Sequence, residues 1–366
     1  MTGTMTTAAL FAGHRFHLAT DLVFAAAQER YLRAFVPEHE LAPACGQETA
    51  VRVRHDAALF QDRMACAARA ASLTVVPFRG EPYRRCQFDG TTWWRPAPGT
   101  HLPPDHLYAR DAAGRQTVLL KPGAERGERY LMRVVREVVL RCSESRGWIT
   151  FHAAATALDD HGVLIAAPSG AGKTTVLTAL AAHPGADLIA SDRALVTAGA
   201  GLVAGVPISV RIGRGTLSAL GPREDLPNPH DLPEGFGSAG KAVLTPHAFA
   251  RAFASRVRET APLRLVVIPR LRNDDQVLSS RVLGSGRARM ALAAVCCTPH
   301  DEDWIEPWFA GRTRPVDALA RQAAALIDGL VATVPVLQVT AGVHSPGLLE
   351  KIADAVTGRL TWRPAA

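Results

Sequence analysis

Lysine is the scarcest charged residue in this 366-residue chain: Lys121, Lys173, Lys241 and Lys351 are the only four among 41 basic side chains, and arginine supplies the rest. A lysine inside a motif is therefore not background. Cysteine is sparse too. Its six positions (Cys45, Cys66, Cys86, Cys142, Cys296, Cys297) are scattered, with no pair at metal-ligand spacing and one vicinal pair. That pattern excludes a zinc-ribbon or disulfide framework and predicts reduced, mostly packed thiols. No stretch approaches the ~18 uninterrupted apolar residues of a membrane span. The N-terminus meets charge at His14-Arg15-Phe16-His17 before any signal-like apolar core develops. These absences predict a cytoplasmic protein with no membrane partner. No internal repeat is visible. The arginines are spread along the chain and form no block interleaved with aromatics, so the net charge of +7 predicts a solvated surface and no nucleic-acid partner.

What is present is an apolar share of 48% on a chain long for a single core, so two domains are expected. The most informative segment is Ala167-Pro168-Ser169-Gly170-Ala171-Gly172-Lys173-Thr174. Gly162-Val163-Leu164-Ile165-Ala166 before it reads as a buried parallel strand, and Thr174 to Ala182 after it as an Ala/Leu-rich helix. Strand, small-residue loop and helix in that order form a phosphate-binding loop. Backbone N–H groups of Ser169, Gly170, Ala171, Gly172, Lys173, Thr174 and Thr175 curl around phosphate oxygens, Lys173 reaches the β/γ-phosphates, and the Thr174 hydroxyl completes a magnesium shell. Ala167 stands where the strict pattern has Gly. ATP and Mg2+ are the expected cofactors.

Short β-leaning runs at Ser72 to Phe78, Arg84 to Phe88 and Gln116 to Lys121, with turns such as Asp89-Gly90, predict a mixed, strand-rich N-terminal domain over 1–128. Arg95-Pro96-Ala97-Pro98-Gly99 and Pro103-Pro104 read as loops. Helical spacing from Tyr130 to Cys142 predicts a helix joining this domain to a second one over 129–366. From Trp148 the order strand, strand, loop, helix, strand is that of an α/β nucleotide-binding core. Leu188-Ile189-Ala190-Ser191-Asp192 is the next strand and ends in an acid suited to magnesium. Leu263 to Pro269 and Val334 to Val339 read as strands, Val316 to Val331 and Pro346 to Val356 as helices. The Pro/Gly-rich stretch from Pro222 to Gly240 is either a lid or a flexible connection. Asp301, Glu302 and Asp303 read as a solvated loop.

Arg146-Gly147-Trp148-Ile149-Thr150-Phe151-His152-Ala153-Ala154-Ala155, the loop, Ile189-Ala190-Ser191-Asp192-Arg193 and Val334-Pro335-Val336-Leu337-Gln338-Val339 together resemble the kinase domain of HPr kinase/phosphorylase and related small kinases. The resemblance covers roughly 130–366. It implies an α/β fold with an HPr kinase C-terminal-like P-loop core, related to that of phosphoenolpyruvate carboxykinase. Relatives phosphorylate protein serine, the C-terminal serine of lasso-peptide precursors, or free amino acids. His152 matches the family histidine near the transferred phosphate, and Asp192 the magnesium-associated second acid of an Asp-Asp pair. The first acid, which activates the acceptor hydroxyl, falls on Ser191. A serine is no general base near neutral pH, so proton removal falls to Asp192, His152 or an acid elsewhere, or the acceptor needs no strong base, as an amine would not. Arg193, Arg211 (after the turn Gly205-Val206-Pro207) and Lys241 are further candidates for holding the triphosphate or an anionic acceptor.

The expectation is an ATP- and Mg2+-dependent phosphotransferase acting on a hydroxyl or amine of a small molecule, amino acid or short peptide in specialised metabolism, with Lys173, Asp192, His152, Arg211 and Lys241 as catalytic residues. The alternative is a nucleotide-hydrolysing switch with no acceptor. The acceptor, the choice among ATP, GTP and pyrophosphate, and whether the chain forms a homo-oligomer stay open.

Overall fold

The computed structural model describes residues 4–11, 14–35, 48–124, 127–197, 201–237, 240–306, 308 and 311–361. It is mixed α/β with several sheets, and the chain divides into two compact units, Met1–Ser145 with His300–Arg314, and Arg146–Pro299 with Pro315–Ala366.

The first unit contains β1 (Thr4–Phe11), β2 (His14–Asp21), α1 (Leu22–Arg33), β3 (Glu48–His55), α2 (Ala57–Arg69), β4 (Ser72–Phe78), β5 (Glu81–Phe88), β6 (Thr91–Pro96), β7 (His106–Asp111), β8 (Gln116–Leu120) and α3 (Glu128–Ser145). Its strands form one sheet in the order β1-β2-β3-β8-β7-β6-β5-β4. Strand alternation sorts the side chains by face. Cys86, Trp93, Leu107, Ala109 and Leu119 pack with Phe60 and Ala67 of α2, whereas Tyr83, Trp94 and Tyr108 gather around Trp308. Arg95-Pro96, expected in a loop, lies in β6: Arg95 pairs with Arg84 and Pro96 with Tyr83 at the strand end, where a missing N–H is tolerated.

α3 belongs to this unit and runs three residues past the expected helix end, to Ser145. Its buried face carries Leu131, Val134, Val135 and Val138, and also a charged group: Arg141 reaches Glu137 at 3.1 Å and Glu144 at 2.8 Å. Arg312 joins Glu144 at 3.2 Å, which ties the 300–314 segment to α3. The acidic 301–303 stretch is likewise held, by Asp303 to Arg79 at 3.0 Å. The five described cysteines form no disulfide with one another, and Cys86 and Cys297 are buried; Cys45 lies outside the described residues.

The second unit runs β9 (Ile149–Leu158), β10 (His161–Ala166), α4 (Lys173–Ala181), β11 (Ala186–Ala190), β12 (Arg193–Val196), β13 (Leu202–Gly205), β14 (Val210–Ile212), α5 (Arg214–Leu220), β15 (Ala242–Leu244), α6 (Pro246–Ala252), β16 (Thr260–Arg272), β17 (Ser279–Val282), α7 (Ser285–Ala293), α8 (Val316–Thr333), β18 (Val336–Gly342) and α9 (Leu348–Thr361). β10 is parallel to β16, and β16 to β18. On the other side β10 is antiparallel to the long β9, whose first half pairs with β12. Since β12 pairs with β13 and β13 with the start of β16, the ladder closes on itself. The uninterrupted apolar run of β10 follows from burial on both faces. Val163 and Ile165 pack among Leu177, Leu180, Ile352 and Val356; Leu164 and Ala166 pack among Leu292, Leu326 and Leu330.

Within the described residues of the Pro222 to Gly240 stretch, one 3-10 turn forms at Pro229–Asp231, where the Asn228 side chain accepts from His230 N–H. Arg214 of α5 holds the segment through Leu232 O at 3.2 Å and Glu234 at 2.8 Å. Among the described residues no helix is long and apolar enough to cross a membrane.

Candidate functional site

The loop 167–172 leaves the C-terminal end of β10 and opens α4. Gly172, the residue before α4, has φ 106°, and a Cβ there would lie 2.5 Å from the Leu271 side chain. Only glycine meets both conditions. The Leu271 N–H donates to Ala171 O at 3.1 Å, so the end of β16 braces the loop. The first N–H groups of α4 have no acceptor within the helix, and the helix dipole favours an anion at that end.

Three strand ends meet at the loop. Ala166 at the end of β10 is in register with Ala153 of β9, which brings His152 to the mouth of the loop. His152 is in turn in register with Arg193 of β12, which brings Asp192 beside it. The backbone fixes these positions: His152 N–H donates to Val295 O at 2.8 Å and Ala153 N–H to Asp192 O at 3.1 Å. Lys173 turns back to the same place. Its Nζ lies 2.9 Å from His152 Nε2 and donates to Ala167 O at 2.8 Å and Pro168 O at 3.3 Å.

His152 Nε2 is also 3.1 Å from Asp192 Oδ1, and Asp192 Oδ2 is 2.7 Å from Arg193 Nη1. One ring nitrogen thus faces an ammonium and a carboxylate. It accepts from Lys173 through its lone pair or donates to Asp192 when protonated, and cannot do both at once. Burial lowers the Lys173 pKa to about 8, with Asp192 pulling it back up and Arg193 and Lys241 pushing it further down. Burial opposes ionisation of Asp192, but the His152 hydrogen bond and the charges of Arg193, His152 and Lys173 outweigh it and hold the carboxyl at about 2. The site sets together a lysine whose ammonium is weakened by burial, a carboxylate that is ionised at neutral pH, and an imidazole in contact with both.

Lys173, His152, Asp192 and Arg193 are therefore brought together. Ser169 and Gly170 are exposed on the loop, and Thr174 lies in the first turn of α4. Thr175 faces elsewhere: its hydroxyl is bonded to that of Thr216 on α5 at 2.8 Å. Arg211 sits on β14 opposite Val243, exposed, and Lys241 immediately precedes β15. Arg193 is fully buried and holds Asp192. Leu188 to Asp192 is a strand only to Ala190, with Ser191 and Asp192 in the bend before β12.

Ser191 is the position where the structure adds most. It is buried, and its hydroxyl donates toward Ile208 O at 2.9 Å and Ser209 O at 3.2 Å, the backbone that leads into β14. Sequence reading registers a missing acid there; the structure shows a brace. Thr216 and Arg214, which connect the loop helix to the 222–237 segment, carry no sequence signal, because both lie on a seven-residue helix without a recognisable pattern.

Among the described residues no group of three or more His, Cys, Asp or Glu side chains is placed to hold a metal by itself. No protein-family model matches the chain, and no curated protein matches it.

Proposed function

We propose that this chain is an ATP- and magnesium-dependent phosphotransferase with an HPr kinase-like P-loop core, and that it phosphorylates a hydroxyl or amine of a small molecule, amino acid or short peptide. The observation that carries this reading is the convergence on His152, a strand-borne histidine within hydrogen-bond reach of both the loop's Lys173 and the ionised Asp192.

The residues suit a magnesium nucleotide. The glycine turn and the open N-terminus of α4 form an anion cradle. Asp192, ionised throughout the physiological range, and Thr174 supply the few oxygen ligands that Mg2+ takes when phosphates and waters complete its shell. Bound there, the nucleotide and its metal would supply the phosphoryl group and neutralise charge on it. The protein's part is positioning and electrostatics. Lys173 leaves its loop carbonyls for phosphate oxygens, and Arg193 keeps Asp192 fixed. A hydroxyl acceptor gives its proton to His152, since Asp192 at about 2 is too weak a base and Ser191 is committed to backbone. An amine acceptor with a free lone pair makes no such demand.

The test is transfer from γ-labelled ATP with Mg2+ into a panel of amino acids, dipeptides and serine-bearing peptides, with Lys173→Ala as control. Labelled product that vanishes in the variant is the expected result, and its acid stability separates P–O from P–N bonds. Tight ATP binding with no product across the panel would replace this reading with a nucleotide-operated switch.

A further inference from the structure

One face of α2 departs from what a water-facing helix carries. Positions 57, 61, 64, 65 and 68 recur at helical spacing and so share a face. They hold Ala57, Gln61, Met64, Ala65 and Ala68, and all but Met64 are exposed. No residue of that face is charged, whereas the outer stripe of a surface helix ordinarily is. The neighbouring face turns Phe60 and Ala67 onto Trp93, Leu107 and Leu119 of the first sheet.

The uncharged face and Phe60 wall a cleft of about 630 Å³. The rest of its lining is Pro104, in the segment before β7, and Lys121-Pro122, directly after β8. Both stretches are braced. Lys121 N–H donates to Asp105 O at 2.8 Å and Ala124 N–H to Lys121 O at 3.0 Å, and each proline fixes its own φ. All of the lining belongs to the first unit. The three alanines make the room, because a longer side chain at any of them would occupy it.

A cleft of this size with mostly apolar walls and a few polar groups has the features of a small-molecule site, and the polar groups decide what it takes. Lys121 is one of only four lysines in the chain. Its ammonium has no hydrogen bond or ion pair among the described residues. No acid lines the cleft. Asp56, which caps α2 beside Ala57, is committed to Leu59 N–H at 3.0 Å and to Arg54 at 3.3 Å. Gln61 adds an amide that both donates and accepts. One ammonium matches one negative charge; a phosphate dianion calls for the guanidinium forks that this lining lacks. Phe60, and Met64 with its adaptable thioether chain, suit a hydrocarbon or ring. We propose that the cleft binds an amphipathic monocarboxylate, an acyl or aryl acid, with its carboxylate on Lys121 and Gln61 and its apolar body along Phe60, Met64 and the alanines. The site lies in a different unit from the phosphate loop and does not rest on the nucleotide reading.

Decanoate, decanol and decyltrimethylammonium, titrated into the full chain below their aggregation limits, test the site by calorimetry and by the Met64 methyl resonance of methionine-labelled protein. The wild type is expected to bind decanoate more tightly than decanol and the cationic probe least, with decanoate moving the Met64 signal. Lys121→Gln should weaken decanoate about fivefold and leave decanol unchanged. Ala65→Phe, at an exposed helix position, should fill the cleft and abolish binding of both. A wild type that binds none of the probes, a cationic probe bound as tightly as decanoate, or a decanoate affinity that either variant leaves unchanged overturns the proposal. So does a wild-type dimer that Ala65→Phe converts to monomer in sedimentation, since a second copy would then cover the cleft.

Discussion

Ser191 illustrates how a residue's type can leave its structural role unread. Its identity says only that a base is absent; its hydroxyl, donating towards two backbone carbonyls, says why an acid cannot be reinstated. A carboxylate has no proton to donate and would face those oxygens while buried. Ser191→Asp is therefore expected to lower stability by about 2–4 kcal/mol and to gain no transfer activity, read by urea unfolding and the labelled-ATP assay. Lys173 makes the opposite case. Its pKa is lowered in the fold, so below pH 8 the protonated form costs the native state stability, and the cost is relieved as pH rises from about 8 towards the unfolded value near 10.5. Lys173→Met should thus abolish transfer yet stabilise the ligand-free protein at pH 7 by about 1–3 kcal/mol, part of the gain being offset by lost hydrogen bonds. The gain should shrink as unfolding is measured at increasing pH. Asp192 runs the other way, with a depressed pKa: Asp192→Asn should cost stability at pH 7, and the difference should close as pH falls from about 4 through 2. Lys173, His152 and Asp192 were legible because residue type, loop and flanking strands agreed. Arg193 as the clamp on Asp192 was not, because a buried arginine and a surface arginine look alike in sequence.

Among elements, those with strong periodicity were legible. The strand at 162–166, the helix after the loop, the strand at 263–269 and the long helix from Val316 all appear within a few residues of expectation. The short strands β12 and β13, four residues each, are templated by the long β9 and β16, and β14 and β15, three residues each, pair with one another in a separate ribbon; runs this short left no pattern of their own. The same holds for α5, although it ties two parts of the candidate site together. Through Thr216 it is bonded to Thr175 on the loop helix, and through Arg214 to Leu232 and Glu234 of the Pro/Gly segment. Thr216→Val should cost about 1 kcal/mol and raise hydrogen exchange in 222–237 as well as in α5. If the exchange of 222–237 does not respond, α5 is a passive prop and not a coupling element.

At the scale of the whole molecule, composition foretold two folding units but not their borders. A boundary at 128/129 assigns α3 to the second domain, whereas the contacts group it with the first, and they take 300–314 there as well. Neither assignment is visible in sequence, because the Arg141 group and the Trp308 ring make their contacts with residues far away along the chain. A fragment spanning 129–366 should expose Leu131, Val134, Val135 and Val138 and precipitate. A fragment spanning 146–366 with 300–314 replaced by a short Gly/Ser linker should stay in solution and unfold in one cooperative step, as followed by circular dichroism in urea.

The excursion of 300–314 also orders events during synthesis. Trp308 closes the aromatic group of the first unit, and α8, β18 and α9 of the second unit follow it in the chain. The strands of the first sheet are all made by Leu120, but its aromatic group stays incomplete on the ribosome until Trp308 has been made, and until then the nascent chain carries two incomplete cores at once. Translation speed around codon 300 and early chaperone capture become determinants of yield for this protein in a way that its finished contacts alone do not reveal.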